Sequence, residues 1–84
     1  MAEHITVRVN GDRMREVAAN NGLGSVIAIS RKIGVSRSYL QQVLSGSRTV
    51  GVEFVVKVHE HFGVKFPGDY RYPDFYQIQR KEID

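Results

Sequence analysis

The sequence predicts a small, mainly α fold with a minor β element, and three observations predict it. Four separate segments carry apolar residues at helical spacings of three and four, the first ten residues alternate instead, and capping residues and glycines mark the borders. Eighty-four residues are read as one domain, 1–84, built on a single core.

Ile5, Val7 and Val9 alternate with Thr6, Arg8 and Asn10, the period of a half-buried strand over 5–9, and Asn10-Gly11-Asp12 then turns the chain. Asp12 is the expected N-cap of a first helix over about 12–20, which buries Met14, Val17 and Ala18 and stops at Asn20-Asn21-Gly22. Ser25 caps a second helix, about 25–33, with Val26, Ile29 and Ile33 on one face and Gly34 as its end.

The third helix, about 36–45, starts at Ser36, where Val35 and Leu40 stand at the two positions of a hydrophobic staple. At about 100° per residue, Arg37, Ser38, Gln41, Gln42 and Ser45 share one arc, while Tyr39, Leu40, Val43 and Leu44 share the other. One arc packs and the other is available. A fourth helix over about 52–62 turns Val52, Phe54, Val55, Val58 and Phe62 inward, with Glu53 and Lys57 as an i,i+4 pair outside.

The tail, 64–84, is rich in aromatic residues. Tyr70, Tyr72, Tyr76 and Ile78 keep an even spacing that suits a strand over 70–79, although Pro73-Asp74 can equally start a short helix. A lone strand at 5–9 needs a partner, so the two ends are expected to pair in a small sheet. Phe66, Tyr70, Tyr72, Phe75, Tyr76 and Ile78 are assigned to closing the core or to a dimer interface.

Charge indicates the partner. Residues 1–28 hold three bases and three acids, 29–51 hold four bases and no acid, and 52–84 hold five bases and six acids, so the net +3 is a local +4 diluted. No acid lies between Glu16 and Glu53, where the two short helices and their turn lie. A polyanion meets no repulsion there, and the inferred partner is duplex DNA.

Other chemistry finds little support. The absence of cysteine removes disulfides and thiolate sites, and fits a reducing, cytoplasmic setting. The longest apolar run, Val26–Ile29, is four residues, so no membrane association is expected. His59 and His61 lie about 200° apart on a helix, so they do not share an ion. Neither a paired carboxylate site nor a Ser/His/Asp set is evident. No catalysis, metal, cofactor or small-molecule ligand is expected.

Ser30, Gly34-Val35-Ser36, Leu40, Val43, Gly46 and Arg48, followed by a helix ending Phe62-Gly63-Val64, stand at characteristic separations. On these residues, 11–66 resemble the helix-turn-helix domain of phage Cro and repressor proteins. Val26 and Leu44 depart from it, standing where members often carry Gln and Glu. The resemblance implies a four-helix domain whose third helix enters the major groove while the second crosses the backbone. Arg37, Ser38, Gln41 and Gln42 would then face base edges, Arg pairing with guanine and Gln with adenine. Ser25, Arg31, Lys32, Ser36, Tyr39, Ser45, Arg48 and Thr49 would meet phosphates, which fix register. A homodimer on a short palindromic operator follows, because one domain reaches only one half-site. Two alternatives stand beside this reading: a ribbon-helix-helix protein reading DNA with Thr6, Arg8 and Asn10, and an antitoxin or interaction module whose aromatic tail grips a protein.

Overall fold

The computed structural model describes residues 2–83. Its elements run β1 (Ala2–Val9), α1 (Gly11–Asn20), α2 (Val26–Ile33), α3 (Arg37–Leu44), α4 (Val52–Phe62) and β2 (Tyr76–Ile83). Four helices therefore stand beside a two-stranded antiparallel sheet, as the spacing and pairing arguments predict. β1 and β2 pair from Ala2 opposite Ile83 to Val9 opposite Tyr76. This pairing lies within one chain, whereas a ribbon-helix-helix fold pairs its first strand with the copy in a second protomer.

Several boundaries shift, each for a local reason. Helix α1 starts at Gly11 because the Asn10 side chain, not Asp12, is its cap: Asn10 Oδ1 accepts from the backbone N–H of Asp12 (3.1 Å) and Arg13 (3.3 Å). The second strand begins at Tyr76 and runs past 79 to Ile83, because Asp69–Tyr72 folds back on itself in a bridge, with Arg71 N donating to Asp69 Oδ1. The even spacing of Tyr70 and Tyr72 thus belongs to a turn. Val52, expected inward, is 79% exposed at the start of α4. Ile5, expected half-buried, is 49% exposed because the outer part of the ribbon extends beyond the core that covers Val9.

The core collects Met14, Val17 and Ala18 of α1, Ile29 and Ile33 of α2, Leu40, Val43 and Leu44 of α3, and Phe54, Val58 and Phe62 of α4. Each large apolar side chain taken from water contributes about 1.5–3 kcal/mol, so the helix pair α2–α3 is held chiefly by burial. Val9, Phe75 and Tyr76 extend the same core to the sheet. Two backbone contacts fasten the sheet to the end of α3. Val50 N donates to Val7 O at 2.8 Å, and Gly11 lies so close to Leu44 that a Cβ there would overlap the Leu44 carbonyl oxygen.

The tail is locked by a carboxylate that the sequence gives no reason to single out. Asp69 is buried and accepts from Arg71 Nε (3.1 Å), Arg71 Nη2 (3.0 Å) and the N–H groups of Arg71 and Lys65, while Arg71 Nη2 also donates to Gly63 O. Hydrogen bonds from Arg71, above all from its side chain, hold the Asp69 carboxyl well below the usual carboxylate range. Asp74 is lowered too, by its bond with Arg13.

Candidate DNA interface

The turn between α2 and α3 is specified residue by residue. Ser25 Oγ accepts from Ala28 N and Ser36 Oγ from Tyr39 N, both at 3.1 Å, so each helix begins on a side-chain cap. Gly34 adopts φ 73°, the left-handed conformation that ends α2 and that a Cβ would strain. Ser30 is buried, its hydroxyl donating to Ile27 O at 2.8 Å, so a small residue in α2 leaves no polar group unpaired. Lys57 clamps the turn from α4: its Nζ donates to Gly34 O at 3.3 Å and meets Glu53 at 3.2 Å.

This frame buries Leu40, Val43 and Leu44, and leaves Arg37, Ser38, Gln41, Gln42 and Ser45 exposed together along α3. Arg31 and Lys32 are exposed in the last turn of α2, where positive charge suits the helix dipole. Among the described residues, Arg31, Lys32, Arg37 and Arg48 form no ion pair. Four cations without anions around one polar helix face are arranged to receive an external polyanion.

Not every candidate side chain is equally free. Ser25 and Ser36 accept at their caps and keep a hydroxyl proton to donate, whereas Ser45 donates to Gln42 O (3.0 Å) and lies 2.9 Å from Ser47. Thr49 is exposed in the loop after α3. Arg48 is pinned: Nη1 donates to Gln42 Oε1 at 3.0 Å, and the guanidinium lies 4.9 Å over the Tyr39 ring, which in turn meets Phe54 edge-on at 6.1 Å. Sequence reasoning placed Gln42 and Arg48 in separate roles and missed this link, which spans six residues and bends around the helix end. An open cleft of about 630 Å³, lined by Ser38, Tyr39, Gln42, Arg48 and the Glu53–Lys57 pair among others, runs beside the helix.

The tail candidates divide. Phe75 and Tyr76 are buried and Tyr72 packs partly against the core, while Tyr70 is 90% exposed and Ile78 and Phe66 are substantially so. Phe66 still meets the Tyr76 ring edge-on at 5.1 Å. The Tyr76 hydroxyl is buried with no hydrogen-bond partner among the described residues, and burial pushes its pKa up to about 12.

A capped helix pair joined by a glycine turn, with the second helix presenting an exposed polar face flanked by cations that form no ion pair among the described residues, defines a DNA-binding module. A family model described as helix-turn-helix matches residues 25–68, more than half of the 84 residues, and the chain belongs to that family, in its Cro and C1-type branch of DNA-binding regulators. No curated protein matches the chain, and no solved structure does. Among the described residues, no helix is long and apolar enough to cross a membrane.

Proposed function

We propose that this regulator is a phage-type, Cro-like transcriptional repressor that acts in the cytoplasm as a homodimer on a short palindromic operator. One observation carries the reading: the polar face of α3 is exposed, free of acids and held at a fixed angle by two capped helices. Arg37 leads the base contacts, with Ser38, Gln41 and Gln42 beside it, and the guanidinium fork suits guanine as the Gln amides suit adenine. Ser25, Ser36, Arg31, Lys32, Tyr39, Arg48 and Thr49 meet phosphates, and Ser45 joins them only when its hydroxyl proton leaves Gln42 O for a phosphate oxygen. The route is occlusion: a dimer covering two half-sites about one helical turn apart blocks promoter DNA without a cofactor.

Support for the dimer comes from the tail residues that the core leaves outside, Phe66, Tyr70 and Ile78. The test is titration of a selected duplex and a scrambled one across a salt series, with sedimentation of the same protein. Expected are preference for one duplex, a slope of about −0.9 per phosphate neutralised, and a dimer that Ile78→Ser weakens. Equal affinity for both duplexes at every salt would end the sequence-specific reading, and a monomer on a whole palindrome would end the dimeric one.

A further inference from the structure

The β1–β2 ribbon has two chemically different faces. Residues directly opposite in an antiparallel pair share a face, and alternate residues share it too. One face therefore carries His4 with Lys81, Thr6 with Gln79, and Arg8 with Gln77. All six are polar, two are permanent cations, and none is an acid. The other face carries Ile5 with Arg80, Val7 with Ile78 and Val9 with Tyr76, and its two acids, Glu3 and Glu82, stand opposite each other at the tip. Glu3 is further matched by Arg80 at 2.7 Å. A face that is merely solvated mixes its charges. Here every acid of the ribbon is on the far side, and Arg8 and Lys81 form no ion pair among the described residues.

The position of the ribbon gives this face an occupant. Val50, which follows Arg48 and Thr49 directly, donates to Val7 O at 2.8 Å, so β1 lies beside the basic loop at the end of α3. From His4 to Arg8 this face runs four residue steps, roughly 14 Å at about 3.4 Å each, which matches about four base pairs. A shallow hollow of about 400 Å³ runs along it, lined by His4, Thr6, Arg8, Gln79 and Lys81 of this face and by Arg80 of the other. Arg8 is already held in place by a 3.4 Å bond to Gln79.

We propose that the polar face of the ribbon is a second DNA-contacting surface, which grips the phosphates of duplex flanking the sequence that α3 reads. The proposal rests on α3 binding DNA and adds a surface that the helix-turn-helix does not contain. The contacts carry no base information, since Arg8 and Lys81 supply charge while Thr6, Gln77 and Gln79 donate to phosphate oxygens from a two-stranded platform. Flank length, not flank sequence, then sets the added affinity.

The experiment compares a minimal duplex holding only the selected site with the same site extended by ten base pairs on each side. Both are titrated across a salt series with the wild-type chain and with a double variant, Arg8→Gln and Lys81→Gln, whose unchanged circular dichroism and melting temperature certify the fold. Wild type is expected to bind the long duplex more tightly, with a salt slope steeper by ~3.6 for the dimer, from two further phosphates per protomer. The variant should bind both lengths alike, as wild type binds the short one. Wild type showing no length dependence overturns the proposal, as does a variant that keeps the full length advantage or that weakens both duplexes equally. Failure of wild type to bind either duplex would instead remove the DNA-binding role of α3, a distinct result.

Discussion

Gly11→Ala tests how tightly the sheet and the start of α1 are fastened to α3. Alanine at the start of α1 would ordinarily help, by up to about 1 kcal/mol of helix propensity. The local geometry reverses that sign. The new Cβ would overlap the Leu44 carbonyl oxygen and stand 2.9 Å from its carbonyl carbon and 3.3 Å from its Cα, where unstrained carbon contacts are about 3.5–4.0 Å. Those atoms are backbone at the C-terminus of α3, so no side chain can rotate away, and the strands behind Gly11 are fixed through Asn10 N, which donates to Phe75 O. Overpacking costs ~1–3 kcal/mol, and a backbone-to-backbone clash lies at the upper end of that range. Subtracting the propensity gain leaves a loss of ~2 kcal/mol, or ~8–16 °C in melting temperature for a domain of this size. Thermal unfolding followed by circular dichroism reads it, and operator affinity should fall because the end of α3 and the Arg48 loop must move. An unchanged or higher melting temperature would refute the close approach of Gly11 to Leu44, and with it the rigid link between ribbon and helix.

Further outcomes follow from single contacts. Arg48→Ala should weaken all duplexes alike and flatten the salt slope by about 0.9, and base preference that changes only at one position would instead make Arg48 a reader. Tyr76→Phe removes a buried hydroxyl that has no partner, so denaturant unfolding should show gained stability, up to ~1–3 kcal/mol, and a loss would reveal a hidden bond. Because the Asp69 carboxyl is lowered in the folded chain, its stabilisation is present above the unfolded value of about 3.9 and is lost as pH falls below it toward the folded one. The melting-temperature gap between wild type and Asp69→Asn should therefore be constant near neutrality and shrink in acid, and a gap independent of pH would exclude the ionised clasp.

Local chemistry made the α2–α3 half of the fold legible. Ser25, Gly34 and Ser36 act within three or four residues of themselves, so capping and left-handed geometry can be read without tertiary knowledge. The pairing of the two chain ends was legible as well, since one alternating strand demands another. Where two residues compete for one local role, sequence does not choose: Asn10 and Asp12 both make N-caps, and the bond from Asn10 N to Phe75 O decides in favour of Asn10. Tyr70 and Tyr72 keep strand spacing, yet Asp69 and Arg71 close a turn there through bonds reaching back to Lys65 and Gly63. Val52 fits the helical period of α4 and is still exposed, because it occupies the first turn, ahead of the buried Phe54 and Val58. At the site, exposure of Arg37, Ser38, Gln41 and Gln42 follows from the arc, whereas the Gln42–Arg48–Tyr39 array depends on how the loop after α3 returns.

The measurement that bears most directly on the account is selection of bound sequences from random duplex DNA, run in parallel with wild type and Arg37→Ala. Wild type is expected to enrich a two-fold symmetric site, and Arg37→Ala the same site with one base pair per half relaxed, by ~1–3 kcal/mol of lost discrimination. Enrichment of no sequence, or of an unaltered site by Arg37→Ala, would contradict the assignment of α3 as the element that reads DNA.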